Sequence, residues 1–271
     1  MITQNLHMHS TWDDGRSTVE EMILASKAAG LTSVGFSVHA PMPIENCWAC
    51  TEERLPGYIA EVRALAAKYA GEIGVYLGAE WDVVSGDMDL TAYDYVIGSA
   101  HQLPAAGWPS VDESAEATRR YLAEHFGGDA DAAAEAYFEE LAKVAANPLV
   151  DIAGHFDLIT KFDEQHGFFN PRSARYQKAA LAAMERLVRA GKIFEINTGA
   201  ISRGYRTTPY PSRELLMLLR EMGGRVTVSA DCHHVSGVVC AFESAERLAK
   251  DCGFKEVWVL DGRKNFVPKA L

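Results

Sequence analysis

The chain has 271 residues and a mass of 29.7 kDa, and its 48% hydrophobic and 23% charged side chains are an ordinary globular balance that permits a sizeable core. Its 26 basic residues against 37 acidic ones leave a net charge of −11, which repels polyphosphate backbones and argues against nucleic acid as the main partner. No apolar run nears the roughly 20 residues of a membrane span, the start MITQNLHMHS lacks the marks of a signal peptide, and five cysteines fit reduced thiols; a cytoplasmic protein without membrane contact is expected.

Short apolar runs alternate with longer helical patterns, the signal for βα units around a parallel sheet. In chain order the predicted strands are Ile2–Leu6, Ser33–Val38, Gly74–Gly78, Tyr93–Gly98, Val150–Gly154, Ile193–Ile196, Val226–Ser229 and, near the end, Glu256–Leu260. The predicted helices between them are Thr18–Ala29, Pro56–Tyr69, Ala130–Ala146, Ser173–Ala190 and Arg213–Met222. Three of these end in glycine, at Gly30, Gly191 and Gly223, as helix C-caps do. Seven or eight such units in a single domain spanning residues 1–271 suit a (β/α) barrel, for which about 250 residues is typical; a doubly wound open sheet is the alternative.

Two stretches stand outside this rhythm. Cys47-Trp48-Ala49-Cys50 has the spacing of a redox or zinc motif, but no second pair follows, so it reads as a loop. Pro104–Gly128 is long for a connection after the fourth strand, with a helix predicted from Ser114 to Phe126, and is either a lid or an ordinary connecting helix with a long lead-in.

Polar residues cluster at the strand ends. His7 and His9 follow the first run, with Asp14 in the loop beyond; His39, Glu80, His101 and His155 follow the next four; Asp231 and His233 follow the seventh. In a barrel those ends converge on one face. Residues i and i+2 of an extended strand point the same way, so His7 and His9 would grip one ion together, and Asp231 and His233 repeat the pattern. Six histidines and three carboxylates exceed the needs of one four-coordinate ion. Two or three divalent ions (Zn, Mn or Fe) are therefore expected, with Glu80 as a bridge. His125, His166 and His234 are read as ordinary surface or core residues.

These residues resemble the motifs of the PHP (polymerase and histidinol phosphatase) family: His7-Met8-His9-Ser10 with Asp14-Gly15, Val38-His39-Ala40-Pro41, Gly78-Ala79-Glu80, Gly98-Ser99-Ala100-His101, Gly154-His155-Phe156-Asp157 and Ser229-Ala230-Asp231-Cys232-His233. Glu195-Ile196-Asn197-Thr198 with Tyr210-Pro211-Ser212 is similar to the histidinol-phosphatase branch. The resemblance implies a distorted seven-stranded, TIM-like (β/α) barrel with a trinuclear metal centre. It implies that His7, His9, Glu80 and Asp231 hold one ion, that Glu80 bridges to a second held by His101 and His155, and that Asp14, His39 and His233 hold a third. Asp13 departs from the pattern, standing where the family often has Ser or Cys.

The expected reaction is hydrolysis of a small phosphomonoester, most simply L-histidinol phosphate, by metal-activated water. Arg203 and then Lys161 are the candidates for gripping phosphate, and Asp231 or His233 for protonating the leaving group. Trp12 and Trp81, next to ligands, are candidates either for stacking on an imidazole or for simple rim packing, and Trp12 for contacting substrate. The rival readings are a PHP-type enzyme acting on another monoester or a diester, a non-catalytic metal-binding regulatory domain, and an amidohydrolase, for which no bridging lysine is found.

Overall fold

The computed structural model describes residues 1–271. Seven parallel strands pair strictly in chain order: β1 (Gln4–Asn5), β2 (Ser33–His39), β3 (Gly74–Asp82), β4 (Tyr95–Ser99), β5 (Ile152–Ala153), β6 (Ile193–Asn197) and β7 (Arg225–Ser229). The first and last edges meet beyond their ends: Met8 bridges Cys232 in parallel, and the His9 N–H donates to the Cys232 carbonyl at 2.9 Å. The sheet is thereby closed into a seven-stranded TIM-like barrel, and closure runs through the residues that flank the candidate ligands.

The helices are α1 (Val19–Ala28), α2 (Leu55–Lys68), α3 (Ala115–Phe126), α4 (Ala130–Leu141), the single turn α5 (Asp163–His166), α6 (Ala174–Arg189), the single turn α7 (Gly199–Ser202), α8 (Arg213–Glu221) and α9 (Phe242–Asp251). Local chemistry fixes their ends. Thr18 and Glu21 form a capping box at the start of α1, and Ser114 and Ser173 accept backbone N–H groups at the starts of α3 and α6. Gly30, Gly191 and Gly223 take positive φ, as the C-cap reading requires. No helix is long and apolar enough to cross a membrane.

Alternation along the strands divides the core in two. Val34, Phe36 and Val38, with Val75, Leu77 and Trp81, face the helices in the large outer cluster. Tyr76, Tyr95, Ile97, Ile152 and Ile193 fill the lower barrel with Leu6 and Leu260. Tyr95 needs the glycines of β2 and β3: a Cβ on Gly35 would sit 2.4 Å from its hydroxyl oxygen, and one on Gly78 2.2 Å from its ring. Its hydroxyl donates to the Leu6 carbonyl. Above this apolar layer the inward positions turn polar, with Ser37, His39, Glu80, Asp82, Ser99, Glu195, Asn197 and Ser229 all buried.

The open choice between seven and eight barrel strands falls to seven. Glu256–Leu260 is a strand (β8), as expected, but it pairs antiparallel with β9 (Phe266–Ala270) outside the barrel. There Leu260 exchanges hydrogen bonds with the Gln4 side chain and plugs the lower mouth. Glu80 does not end its strand, because β3 continues to Asp82 and carries Glu80 on its inner face. Helix α9 was not expected, although its buried residues Phe242, Ala245 and Ala249 recur at helical spacing; the face is mostly small alanine in a short, strongly charged segment.

One buried carboxyl is held against its charge. Asp163 Oδ1 accepts the Phe168 and Phe169 N–H groups at 3.1 and 3.2 Å, while Oδ2 has no partner. Burial outweighs those bonds and pushes its pKa up to about 7, against about 3.9 in an unfolded chain. The native state thus keeps a proton that the unfolded state has lost. Its stabilising contribution is complete below about pH 4 and is lost as pH rises through about 7. Asp163→Asn retains a carbonyl for both N–H groups, so its stability relative to wild type should grow by about 1–2 kcal/mol between pH 4 and pH 8, allowing for the group's partial exposure. Urea unfolding at both pH values measures this; a difference independent of pH would refute it.

Candidate metal centre

The upper end of the barrel gathers the nine predicted ligands, five of them directly around the carboxylate of a sixth, Glu80. Glu80, fully sequestered on β3, has His7 Nε2 at 3.0 Å, His39 Nδ1 at 3.1 Å and His155 Nε2 at 2.9 Å, with His9 Nε2 and His101 Nε2 at 3.5 Å. Five imidazoles around two oxygens exceed what hydrogen bonding alone uses well, since a carboxylate offers about four lone-pair sites. The ring atom His9 Nε2 is buried without any hydrogen-bond partner, 3.5 Å from Asp231 Oδ1.

Three overlapping groups have donor atoms close enough to surround an ion: His7, His9 and Glu80; His39, Glu80 and His101; and His9, Asp14, His39 and His233. In the last group Asp14 Oδ1 lies 3.2 Å from His233 Nε2 and 3.7 Å from His39 Nε2, and the His9 ring is stacked between His39 and His233 at 4.2 and 4.3 Å. Asp231 is held at φ 46°, a conformation that few non-glycine residues adopt, and so reaches back towards His7 and His9 from beyond the end of β7. Imidazole nitrogens mixed with carboxylate oxygens are the donor set of zinc, manganese and iron, and the residues fit such ions.

Electrostatics point the same way. Burial works against a charged ring at His7, but Glu195, Glu80 and Asp231 outweigh it and raise its pKa well above the ordinary value. Burial is likewise overcome at His9, raised to about 10 by Asp13, Asp231 and Asp14, and at His101, raised to about 9 by Glu80, Asp82 and Asp112. The negative potential that favours protons on these rings favours divalent cations more strongly. His233 differs: burial and the neighbouring His9 lower its pKa.

Three carboxylates that the sequence reading did not assign orient these rings. Glu195 Oε1 faces His7 Nδ1 at 2.6 Å, Asp13 Oδ2 faces His9 Nδ1 at 2.7 Å, and Asp82 Oδ2 faces His101 Nδ1 at 2.9 Å. Each accepts the Nδ1 proton, which fixes the tautomer and leaves Nε2 as the donor atom towards the centre. Asp13, the departure from the family pattern, also accepts the Ser10 and His39 N–H groups.

The centre opens into a cavity of ≈ 1300 Å³ lined by Asp14, His39, Glu80, His101, His155, Asp231 and His233. Arg203 and Lys161 also line it. Arg203 donates to the Asp231 carbonyl at 2.9 Å and to its Oδ2 at 3.1 Å. Burial opposes the ionisation of Asp231, yet Arg203 and His7 hold its carboxyl well below the usual range. Lys161 donates to the carbonyl and carboxylate of Asp112, at 2.9 and 3.1 Å, and stands over the Tyr205 ring.

The tryptophan expectations are corrected. Trp12 points away from the cavity, where it packs against Tyr58, lies beneath Arg54 and donates to Glu61. Gly57 admits it, since a Cβ there would meet the indole at 2.5 Å. Trp81 is buried and donates to the Gly86 carbonyl. The indole that does touch ligand rings is Trp48 of the cysteine-flanked loop, edge-on to His39 at 4.7 Å and to His101 at 5.7 Å. His125 and His234, read as ordinary residues, lie in the cavity wall.

The PHP domain family matches residues 5–199, most of the chain and most of the ligand set. The chain belongs to the PHP family. A protein of Deinococcus radiodurans named probable histidinol-phosphatase is 29% identical, the match covering 93% of this chain and 94% of that one. A Schizosaccharomyces pombe protein of the same name is 27% identical over 96% of this chain and 89% of its own length. Among solved structures, the histidinol phosphate phosphatase of Lactococcus lactis, crystallised with zinc, L-histidinol and phosphate, superimposes with a TM-score of 0.76 at 20% identity and covers 98% of both chains. Within the PHP family the fold of this chain is therefore that of a known barrel.

Proposed function

We propose that this PHP protein is a divalent-metal-dependent phosphomonoesterase that hydrolyses L-histidinol phosphate to L-histidinol and phosphate, a step of histidine biosynthesis. The observation that carries the reading is the convergence of five imidazoles on the single buried carboxylate of Glu80, at the floor of a cavity edged by Arg203 and Lys161. The names of the full-length relatives support the choice of ester.

Three ions suit the ligand set. His7, His9, Glu80 and Asp231 would hold the first, Glu80, His101 and His155 the second, and Asp14, His39 and His233 the third. When bound, such ions neutralise phosphate oxygens and bring the pKa of water towards about 7. The chain's own groups do the rest. Arg203 pairs its planar guanidinium with phosphate oxygens as charge builds on them, and Lys161 adds a second cation from the same cavity lining. Asp231 or His233 would take the proton given up by the attacking water and pass it to the leaving oxygen. Glu195, Asp13 and Asp82 keep the imidazoles turned so that their Nε2 lone pairs face inward throughout.

The test is phosphate release from L-histidinol phosphate beside a panel of other monoesters and diesters, with metal content measured on the same preparation. L-histidinol phosphate should be the preferred ester, with two or three ions bound per chain. Preference for a diester overturns the monoesterase reading, and an inert, metal-free protein overturns the enzyme reading.

A further inference from the structure

The chain has five tryptophans, and four are engaged: Trp12 and Trp81 through their N–H groups, Trp48 against His39 and His101, and Trp258 beneath the Arg225 guanidinium. Trp108 alone presents a ring with no aromatic, cationic or hydrogen-bonding partner. It is 39% exposed and lines the mouth of the cavity above the metal centre.

Its placement is built. The segment leaving His101 folds back on itself, with Gln102 bridged to Ser110 and the Leu103 N–H donating to the Pro109 carbonyl at 3.0 Å. Gly107 and Trp108 turn the tip at φ 79° and 47°. The second value belongs to glycine, asparagine or aspartate by preference and is unfavourable for an indole-bearing residue. Both legs are tied to the site: the Val111 N–H donates to the His101 carbonyl at 2.9 Å, and Asp112 is gripped by Lys161. Of the four non-glycine residues at positive φ, two line this cavity, Trp108 and the candidate ligand Asp231. An exposed, unpartnered aromatic ring held in a disfavoured conformation in the wall of this cavity offers a face suited to recognition of a flat group.

We propose that Trp108 is the specificity-determining residue of this cavity, a stacking surface for the flat, heteroaromatic and readily protonated ring of the leaving alcohol. The proposal rests on the reading of the substrate as L-histidinol phosphate. An indole face attracts such a ring by stacking when it is neutral and by cation–π attraction when it is charged. A phosphomonoester without a ring gains nothing from it.

The experiment compares wild type, Trp108→Ala and Trp108→Phe, each fully metal-loaded, on L-histidinol phosphate and on O-phosphoethanolamine, which keeps an amine and lacks a ring. Calorimetric binding of the product L-histidinol is the readout independent of turnover. Trp108→Ala should raise KM for L-histidinol phosphate and weaken L-histidinol binding about tenfold, with kcat within about twofold. Its kcat/KM for O-phosphoethanolamine should match wild type, and Trp108→Phe should recover most of the loss. A wild type with no preference for the ring-bearing ester overturns the substrate reading and this proposal with it. A wild-type preference that survives in Trp108→Ala, or an equal loss on both esters, overturns the stacking role alone.

Discussion

Glu80→Gln should lower kcat/KM about 10³-fold or more and release bound metal, while the barrel stays folded. The substitution preserves volume and one carbonyl oxygen, so the packing of β3 against β2 and β4 is undisturbed. What it removes is the one negative charge on which His7, His9, His39, His101 and His155 converge, and the only carboxylate shared by two of the ion-sized groups. Loss of a single preorganised charge contact in an active site costs about 10²–10³ in rate. Here the same change also weakens the assembly that would make water reactive. The amide nitrogen of glutamine would moreover replace an acceptor in either orientation: at the Oε1 position it meets the Ser99 hydroxyl, which donates there at 2.6 Å, and at the Oε2 position it stands between His7 Nε2 and His39 Nδ1, at 3.0 and 3.1 Å. Metal content by mass spectrometry and phosphate release on one preparation decide the matter, with far-ultraviolet dichroism as the check on folding. A folded variant with its full metal complement and wild-type rate would remove Glu80 from the centre.

The positions that converge around Glu80 were legible because strand chemistry has a period of two. His7 and His9, and Asp231 and His233, announce themselves as alternating pairs beside apolar runs, and the fold brings the two pairs together: Asp231 Oδ1 lies 3.8 Å from His7 and 3.5 Å from His9, and the His233 ring stacks on that of His9. The same rule held a signal that went unused. Asp82 lies two residues after Glu80 on the inner face of β3, and Glu195 is a lone charge inside the apolar run Ile193–Ile196, where an ionised group persists only if it is paired. Asp13 was obscured by its neighbour Asp14, since adjacency says nothing about which of two carboxylates turns inward. Strand β8 was legible as a strand, but whether it was an eighth stave stayed open between seven and eight: periodicity reports the local conformation of Glu256–Leu260, while its partner depends on the hairpin with Phe266–Ala270. Trp12 was misjudged because nearness in sequence to His9 gives no direction to an indole, and Gly57 provides a niche on the far side. Trp108, far from any ligand motif, gains its place only from the fold of the segment between His101 and Asp112.

Glu195→Gln should weaken metal binding about 10- to 100-fold, the usual effect of removing a group that orients a ligand, and most of kcat should return when metal is supplied in excess. Glu195 is fully buried and accepts from four donors: His7 Nδ1–H at 2.6 Å and the Ser229 hydroxyl on Oε1, and the His155 N–H at 3.0 Å with Asn197 Nδ2–H at 2.8 Å on Oε2. Burial disfavours its charge, yet His7 and His155 lower its pKa. A glutamine has one oxygen to offer. If that oxygen faces His7 and Ser229, its amide N–H groups meet the His155 and Asn197 donors; in the opposite orientation they meet His7 Nδ1–H. Either way a buried donor is stranded, and if it is His7 the ring can release its Nδ1 proton, take one on Nε2 and turn that nitrogen from ligand to donor. Metal affinity should therefore fall without removal of any atom that would touch an ion. Titrating activity against free metal separates this from a direct catalytic role. A half-saturation point shifted 10- to 100-fold, with the plateau largely retained, is the mark of positioning; an unshifted midpoint with a collapsed plateau would mean that Glu195 acts on the substrate instead.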